Sequence, residues 1–445
     1  MKTFSHTLGM ALLSVSVVLS ACGGGGSGTG TTNSGINWPS SASWPVTPTP
    51  PSPSPPVDAS NSVPIVVDPS MGIVNQPSVT VTLCPAGAPN NSQCVTVKNM
   101  LVDTGSVSVR VASSALSPAL AAQLLTQVGA TDDKVGSAPI VQCALFASGF
   151  TWGPIKRADV TLGSKKASNI PIQIIGDGGY TAPDDCVSRG GPDLGSLLGS
   201  NGTRAFNGIV GIGHSVRDSS LAAKSVIPAG YYYCPTTNSC TGTRVPLAKQ
   251  VMNPVAGFAT NNNGTVIRLP ALPAGGQVSV TGQLIFGVGT QSNNALPTNA
   301  NILQVDGNGF FTTRYQGRAI INSAIDSGTN GYAFSDAMIP TTGEWYTPPS
   351  DRGLSATVEA TNGTGKPVPV AFSIGNAANM MGSGYAAYDN VGMYLANLPV
   401  YDVTTNNTLS EEGFLWGLPF FYGRSVYTVL ENAQVGTQAE PFVAF

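Results

Sequence analysis

At 445 residues the chain is too long for one ordinary hydrophobic core and divides most naturally into two compact units. It is 42% hydrophobic but only 10% charged, with 53 Gly and 34 Pro, where a typical soluble protein carries about 25% charge. A net charge of −3 offers no basic field for a phosphate backbone, which argues against a nucleic-acid partner, and two histidines, His6 and His214, are too few for a multi-histidine metal site. Chemistry on this chain is expected to run on carboxylates or hydroxyls, with no metal and no cofactor.

Residues 1–22 read as an export signal. Lys2 supplies the positive start, and Met10 to Leu19 is an apolar run too short for a stable membrane span. It ends in Leu19-Ser20-Ala21-Cys22, which resembles a bacterial lipobox. That resemblance implies cleavage before Cys22, a lipid on its thiol, and attachment to a bilayer. Gly23 and Gly24 follow where the pattern's inner-membrane retention signal carries Asp, so the expected location is the bacterial cell envelope, at the outer membrane. Residues 23–62 form a Gly/Ser/Pro-rich linker. No charged residue lies between Lys2 and Asp58, and eight prolines fall between Pro39 and Pro56, a composition that favours extended chain.

The body is expected to be all-β, mostly antiparallel, with few short helices. Apolar-polar alternation marks Val79–Leu83, Val95–Val97, Ile170–Ile175, Val278–Val280 and Gln283–Phe286, with Gly, Asn and Pro between such runs. The best helix signal is Ser117-Pro118, an N-cap and first-turn pair, opening a run with Leu120, Leu124 and Leu125. Six cysteines remain after Cys22, an even count that reads as disulfides in an exported chain. Proximity suggests Cys84-Cys94 and Cys234-Cys240, leaving Cys143-Cys186, although spacing alone does not settle the connectivity.

Two short motifs stand out. Met100-Leu101 leads into Val102-Asp103-Thr104-Gly105-Ser106, and Ala324 leads into Ile325-Asp326-Ser327-Gly328-Thr329. Each is an apolar strand delivering an Asp into a tight hydroxyl-rich turn. Each is followed by an apolar-apolar-Gly strand: Ile209-Val210-Gly211 in the first half, Leu415-Trp416-Gly417 in the second. Gly282–Gly289 and Tyr427–Leu430 complete the series. In this order the motifs resemble the pepsin-like aspartic peptidases. The resemblance implies two lobes about a pseudo-twofold axis, an N-terminal lobe over 63–260 carrying Asp103 and a C-terminal lobe over 261–445 carrying Asp326. Residues 214–262 have little counterpart in it.

The resemblance also implies roles. Asp103 and Asp326 would be catalytic, Ser106 and Thr329 would bond their outer oxygens, Thr104 and Ser327 would brace the loops, and Gly105 and Gly328 would allow close approach. Two carboxyls in contact share one proton, so one can activate a water while the other protonates the scissile carbonyl. The expected substrate is a peptide or protein, and the expected state a monomer. The family's flap hairpin corresponds to Leu145–Gly153, giving Phe146, Ser148, Gly149 and Trp152 as flap candidates. Phe146 stands where the family has tyrosine, and Arg110 where it has the partner tryptophan. These replacements support an alternative: an inactive pepsin-like binding or scaffold protein of the cell envelope. His214 is expected to be a surface residue, and Arg110 solvated or salt-bridged.

Overall fold

The computed structural model describes residues 60–88, 91–197, 206–402 and 407–445. The export segment, Cys22 and nearly all of the linker lie outside the described residues. Antiparallel strands dominate, and the α-helices among the described residues are Pro118–Gln123, Asp184–Gly190 and Ala377–Met381. None of the helices found there is long and apolar enough to cross a membrane.

The first helix forms as its sequence predicts. Ser117 Oγ accepts from the Leu120 amide at 3.2 Å, Pro118 occupies the first turn, and Leu120 is buried. It stops earlier than expected, because Leu124 takes an extended conformation and Leu125 enters a two-residue strand, 62% exposed. The expected runs at Val278–Val280 and Gln283–Phe286 merge into one strand, Val280–Phe286, with Val278 outside it.

Two lobes share a common base. In the base, Ser62–Val67 pairs antiparallel with Val280–Phe286, which continues through Gly264–Arg268 and Ser425–Val429 to Phe442–Ala444. Strands from both ends of the chain therefore knit the lobes together. Each lobe contains the same crossing. In the first, Val95–Asp103 lies parallel to Gly208–Ile212, with Asp103 opposite Gly211, and Val107–Ala112 flanks that strand antiparallel on its other side. In the second, Arg318–Ile325 lies parallel to Gly413–Trp416, and Tyr332–Phe334 flanks it antiparallel. This duplicated ψ-shaped topology is the pepsin-like arrangement, read from the chain's own strand order.

Glycine is required at both crossings. A Cβ on Gly211 would sit 2.7 Å from Ser106 Oγ and the Val107 backbone, and one on Gly417 2.1 Å from the Gly331 carbonyl oxygen. The two cores use different side chains for the same purpose. The first packs Val109, Val111, Ile172, Ile174 and Val210. The second stacks Phe334 on Phe414 at 4.8 Å and Phe414 on Trp416 at 4.6 Å, with the indole N–H donating to Thr313 Oγ1 at 3.0 Å. Each such buried side chain contributes about 1.5–3 kcal/mol.

The three expected disulfides are all present: Cys84–Cys94, Cys143–Cys186 and Cys234–Cys240. The last lies within residues 214–262, for which the sequence offered little counterpart. Residues Tyr231–Thr236 and Ser239–Gly242 form a hairpin whose first strand pairs with Ile140–Phe146. The strand that leads into the expected flap, Ile140–Phe146, is therefore an interior strand of a wider sheet. Cys143, on that strand, is also tied to Cys186 on the Asp184–Gly190 helix.

Candidate active site

The two Asp turns meet where the lobes join. The Asp326 carboxyl is hydrogen-bonded to that of Asp103. Both are buried, 0% exposed for Asp103 and 1% for Asp326. The surrounding bonds repeat with near twofold symmetry. The Gly105 amide donates to Asp103 Oδ1 and the Gly328 amide to Asp326 Oδ1, each at 2.8 Å. Ser106 Oγ donates to Asp103 Oδ2, and Thr329 Oγ1 to Asp326 Oδ2 at 2.6 Å. The loops also grip each other. The Thr104 amide donates to Ser327 Oγ at 3.1 Å, and the Ser327 amide to Thr104 Oγ1 at 2.9 Å. Each hydroxyl passes its own proton to a backbone oxygen of the opposite strand: Thr104 to Ile325 at 3.1 Å and Ser327 to Val102 at 2.8 Å. Every polar atom in this exchange has a partner, so neither loop can shift alone without orphaning a buried group.

Burial holds the Asp326 carboxyl well above the usual carboxylate range, and the neighbouring Asp103 charge and hydrogen bond push it further. The pair thus retains a proton that an isolated carboxyl would lose. A pocket between the lobes reaches Asp326, walled by Gly105, Ser106, His214, Asn308, Phe310 and Ala324 among others.

The flap candidates separate. Phe146 and Gly149 flank the hairpin turn, Ala147-Ser148, and are paired across it. Phe146 is buried against Leu101, Ile209 and Leu194, with the Arg110 guanidinium 5.8 Å from its ring centroid. Trp152 pairs with Cys143 in the same hairpin. That register places it on the face opposite Phe146. It packs edge-on against Tyr232 and donates its N–H to the Tyr180 carbonyl at 2.8 Å. Of the two aromatic flap candidates, Trp152 therefore does not share a face with Phe146. Gly149 is held from outside: the Phe150 amide donates to the Pro192 carbonyl at 2.9 Å, and a Cβ on Gly149 would meet that oxygen at 2.3 Å.

Three residues add to the sequence reading: His214 departs from it, Arg110 takes the salt-bridged of its two expected states, and Asn75 escaped it. His214 is partly buried on the wall of the inter-lobe pocket, where a surface position was expected. Its Nδ1 lies 2.8 Å from the Val429 carbonyl, its ring borders Gly309 across the lobe junction, and burial pushes it down to about 4. A depressed histidine stabilises the fold above its ordinary titration range, and that contribution is lost as pH falls from about 6.5 toward 4, roughly 3 kcal/mol in all. His214→Asn is expected to recover about that much of the difference between urea unfolding free energies at pH 7 and pH 4. An unchanged difference would rule out His214 as the cause. Arg110 is fully buried, with Asp218 as its ionic partner at 3.5 Å. Asn75 was not singled out at all. From a backbone φ of 55° it donates to the carbonyls of Asn330, beside Thr329, at 2.9 Å and of Tyr388 at 2.8 Å. No local sequence signal marks such a tie, since its partners lie far along the chain.

Fold and centre together define a two-lobed β protein built around a paired-aspartate site. The chain belongs to the family described as "Protein of unknown function (DUF3443)", whose model matches residues 57–445. No curated protein matches it. Among solved structures it is similar to the aspartic proteinase from Irpex lacteus, at 14% identity and a TM-score of 0.44, over 86% of this chain and 96% of that one.

Proposed function

We propose that this chain is an aspartic endopeptidase. One observation carries the reading: two buried carboxyls hydrogen-bonded to each other, each with its own Gly amide and hydroxyl support. In the reaction, an extended peptide lies between the lobes. The ionised carboxylate takes a proton from a water as that water's oxygen attacks the scissile carbonyl carbon, and the protonated carboxyl donates to the carbonyl oxygen. Collapse of the tetrahedral species releases the amine, which leaves with a proton. The assay is cleavage of denatured protein by the full chain from pH 3 to 7, with binding of a statine peptide that mimics the tetrahedral species. Neither turnover nor statine binding at any pH would defeat the proposal.

The braced hairpin and the missing flap hydroxyl favour a second reading, a binding or scaffold protein on the same fold. It predicts saturable peptide binding without turnover, and measurable turnover would exclude it. In either reading the chain is a lipid-anchored protein of the bacterial envelope, at the outer membrane, held by Cys22. Labelled palmitate is expected in the native chain and absent from Cys22→Ser; label persisting in the variant would sink the anchor.

A further inference from the structure

We propose that the pocket beside Asp326 is a side-chain subsite for the bound peptide and that His214 is its specificity-determining residue, accepting a hydrogen bond through Nε2 from a donor-bearing side chain. The inference rests on the peptidase reading for its ligand, a peptide, but not for its geometry.

The subsite is assembled from both halves of the chain. One cavity borders Asp326, Gly105 and His214 together, with Val107, Phe310 and Leu415 supplying apolar wall. His214 follows the strand Gly208–Ile212, in which Gly211 pairs with Asp103, so the crossing that places that carboxyl also places the ring. The C-terminal half then fixes it. His214 Nδ1 lies 2.8 Å from the Val429 carbonyl oxygen, and the Glu431 amide donates to the His214 carbonyl at 2.8 Å. The Val216 amide in turn donates to Glu431 Oε1 at 2.8 Å. Against the other edge of the ring lies the turn over residues 306–310. The Asn308 and Phe310 amides tighten it by donating to Asp306 Oδ1 at 2.8 and 2.9 Å. Within that turn Gly309 has a φ of 85°, and a Cβ there would stand 2.9 Å from His214 Cδ2. The ring is thus held on its Nδ1 and Cδ2 edges.

The remaining edge carries the chemistry. A carbonyl oxygen only accepts, so Nδ1 holds the proton and Nε2 presents a lone pair. Nε2 has no hydrogen-bond partner among the described residues, and it is not one of their sealed, unpartnered polar atoms, so it reaches the open space of the pocket that its ring lines. Burial keeps the ring neutral down to about 4, so the lone pair persists in mild acid. The hydroxyl protons nearby are already committed: Ser215 Oγ donates to the Gly307 carbonyl at 3.2 Å and Thr104 Oγ1 to the Ile325 carbonyl at 3.1 Å. An apolar wall with an unspent acceptor selects a side chain that has an apolar body and a hydroxyl or N–H donor. It favours threonine over valine and tyrosine over phenylalanine, because the isostere without the donor leaves the acceptor desolvated and unpaired.

The test uses the full chain at about pH 5.5 and peptides that carry Thr or Val, or Tyr or Phe, at each position flanking the cleaved bond. At one position the native chain is expected to favour the donor member of a pair about tenfold in kcat/KM. His214→Asn, whose Nδ2 can still donate to Val429, is expected to lose that preference. His214→Gln, whose Oε1 can reach the place of Nε2, is expected to restore most of it. A second readout needs no variant, because the chain has only two histidines. The ¹⁵N signal of His214 Nε2 is expected to move upfield when a statine peptide bearing the favoured donor residue binds, and to stay in place with its isostere. No pair preference at any position, a preference that survives in His214→Asn, or an unmoved Nε2 signal overturns the inference. If His214→Asn does not fold, the spectra decide alone. A native chain that binds these peptides but cleaves none overturns the peptidase reading. The pairs are then compared by affinity, and a donor preference lost in His214→Asn leaves the subsite standing. Neither cleavage nor binding overturns both.

Discussion

Asp103→Asn is expected to lower hydrolysis by at least about a thousandfold while leaving the protein folded. A positioned general base contributes about 10²–10⁴ in rate, and this change removes the base together with the charge of the pair. An asparagine keeps the shape of the carboxyl. Its oxygen can still accept from one of the two donors now bonded to Asp103, the Gly105 amide at 2.8 Å or the Ser106 hydroxyl. The other donor then faces an amide NH₂, and the shared proton has no anion to move to. The rate and a thermal melt are the readouts; unchanged hydrolysis would remove the pair from the mechanism. The elevated Asp326 carboxyl adds a sign. The pair keeps its proton beyond the range in which isolated carboxyls ionise, so the alkaline limb of the native profile should lie above that range. A rate that declines through the ordinary carboxylate range would contradict this.

Gly105→Ala is expected to cost up to about a hundredfold in rate with no catalytic group removed. A Cβ there would stand 2.8 Å from both Asp326 Cγ and Oδ1 and 2.9 Å from Oδ2, closer than real Cβ atoms come. Two accommodations exist. Asp326 moves away and the carboxyl contact opens, or the Asp103 loop recedes and strains the Thr104-Ser327 grip. Either displaces a reacting group by a sizeable fraction of an ångström, and displacements of about 1 Å cost on the order of a hundredfold. Gly353→Ala is the control, because a Cβ at Gly353 meets nothing within 4 Å. Equal activity of the two variants would show that the pair need not be in contact.

Much of this architecture was legible because it is carried by local patterns. An Asp-hydroxyl-Gly-hydroxyl turn is written in consecutive residues, and its recurrence in each half, each time followed by an apolar-apolar-Gly strand, reports a duplicated element. The disulfides were legible where cysteines flank a short turn, as at Cys84-Cys94 and Cys234-Cys240, and Cys143-Cys186 then followed. The helix start at Ser117-Pro118 was legible because capping depends on neighbours. Its end was not, since nothing at Leu124 or Leu125 breaks a helix locally.

The flap shows where local reading stops. Phe146 and Arg110 were visible as departures, but whether they met depended on a strand pairing. Trp152 was grouped with Phe146 as a flap candidate until the register of the hairpin turned it to the opposite face. Tyr231–Thr236, unplaced by any motif, proved to be the strand that makes the hairpin part of a wider sheet. His214 read as a surface histidine after a Gly-rich strand, and the approach of the second lobe partly covers it.

The sequence by itself determined that there are two Asp turns and which hydroxyls and glycines stand beside each, because those properties reside in adjacent residues, and its composition, with only two histidines, turned attention to carboxylates. Only the tertiary structure decided that the two carboxyls touch, that Arg110 is a buried cation and that the flap is braced. Each of those depends on groups far apart in the chain, where burial removes water and leaves the remaining polar partners to set the charge.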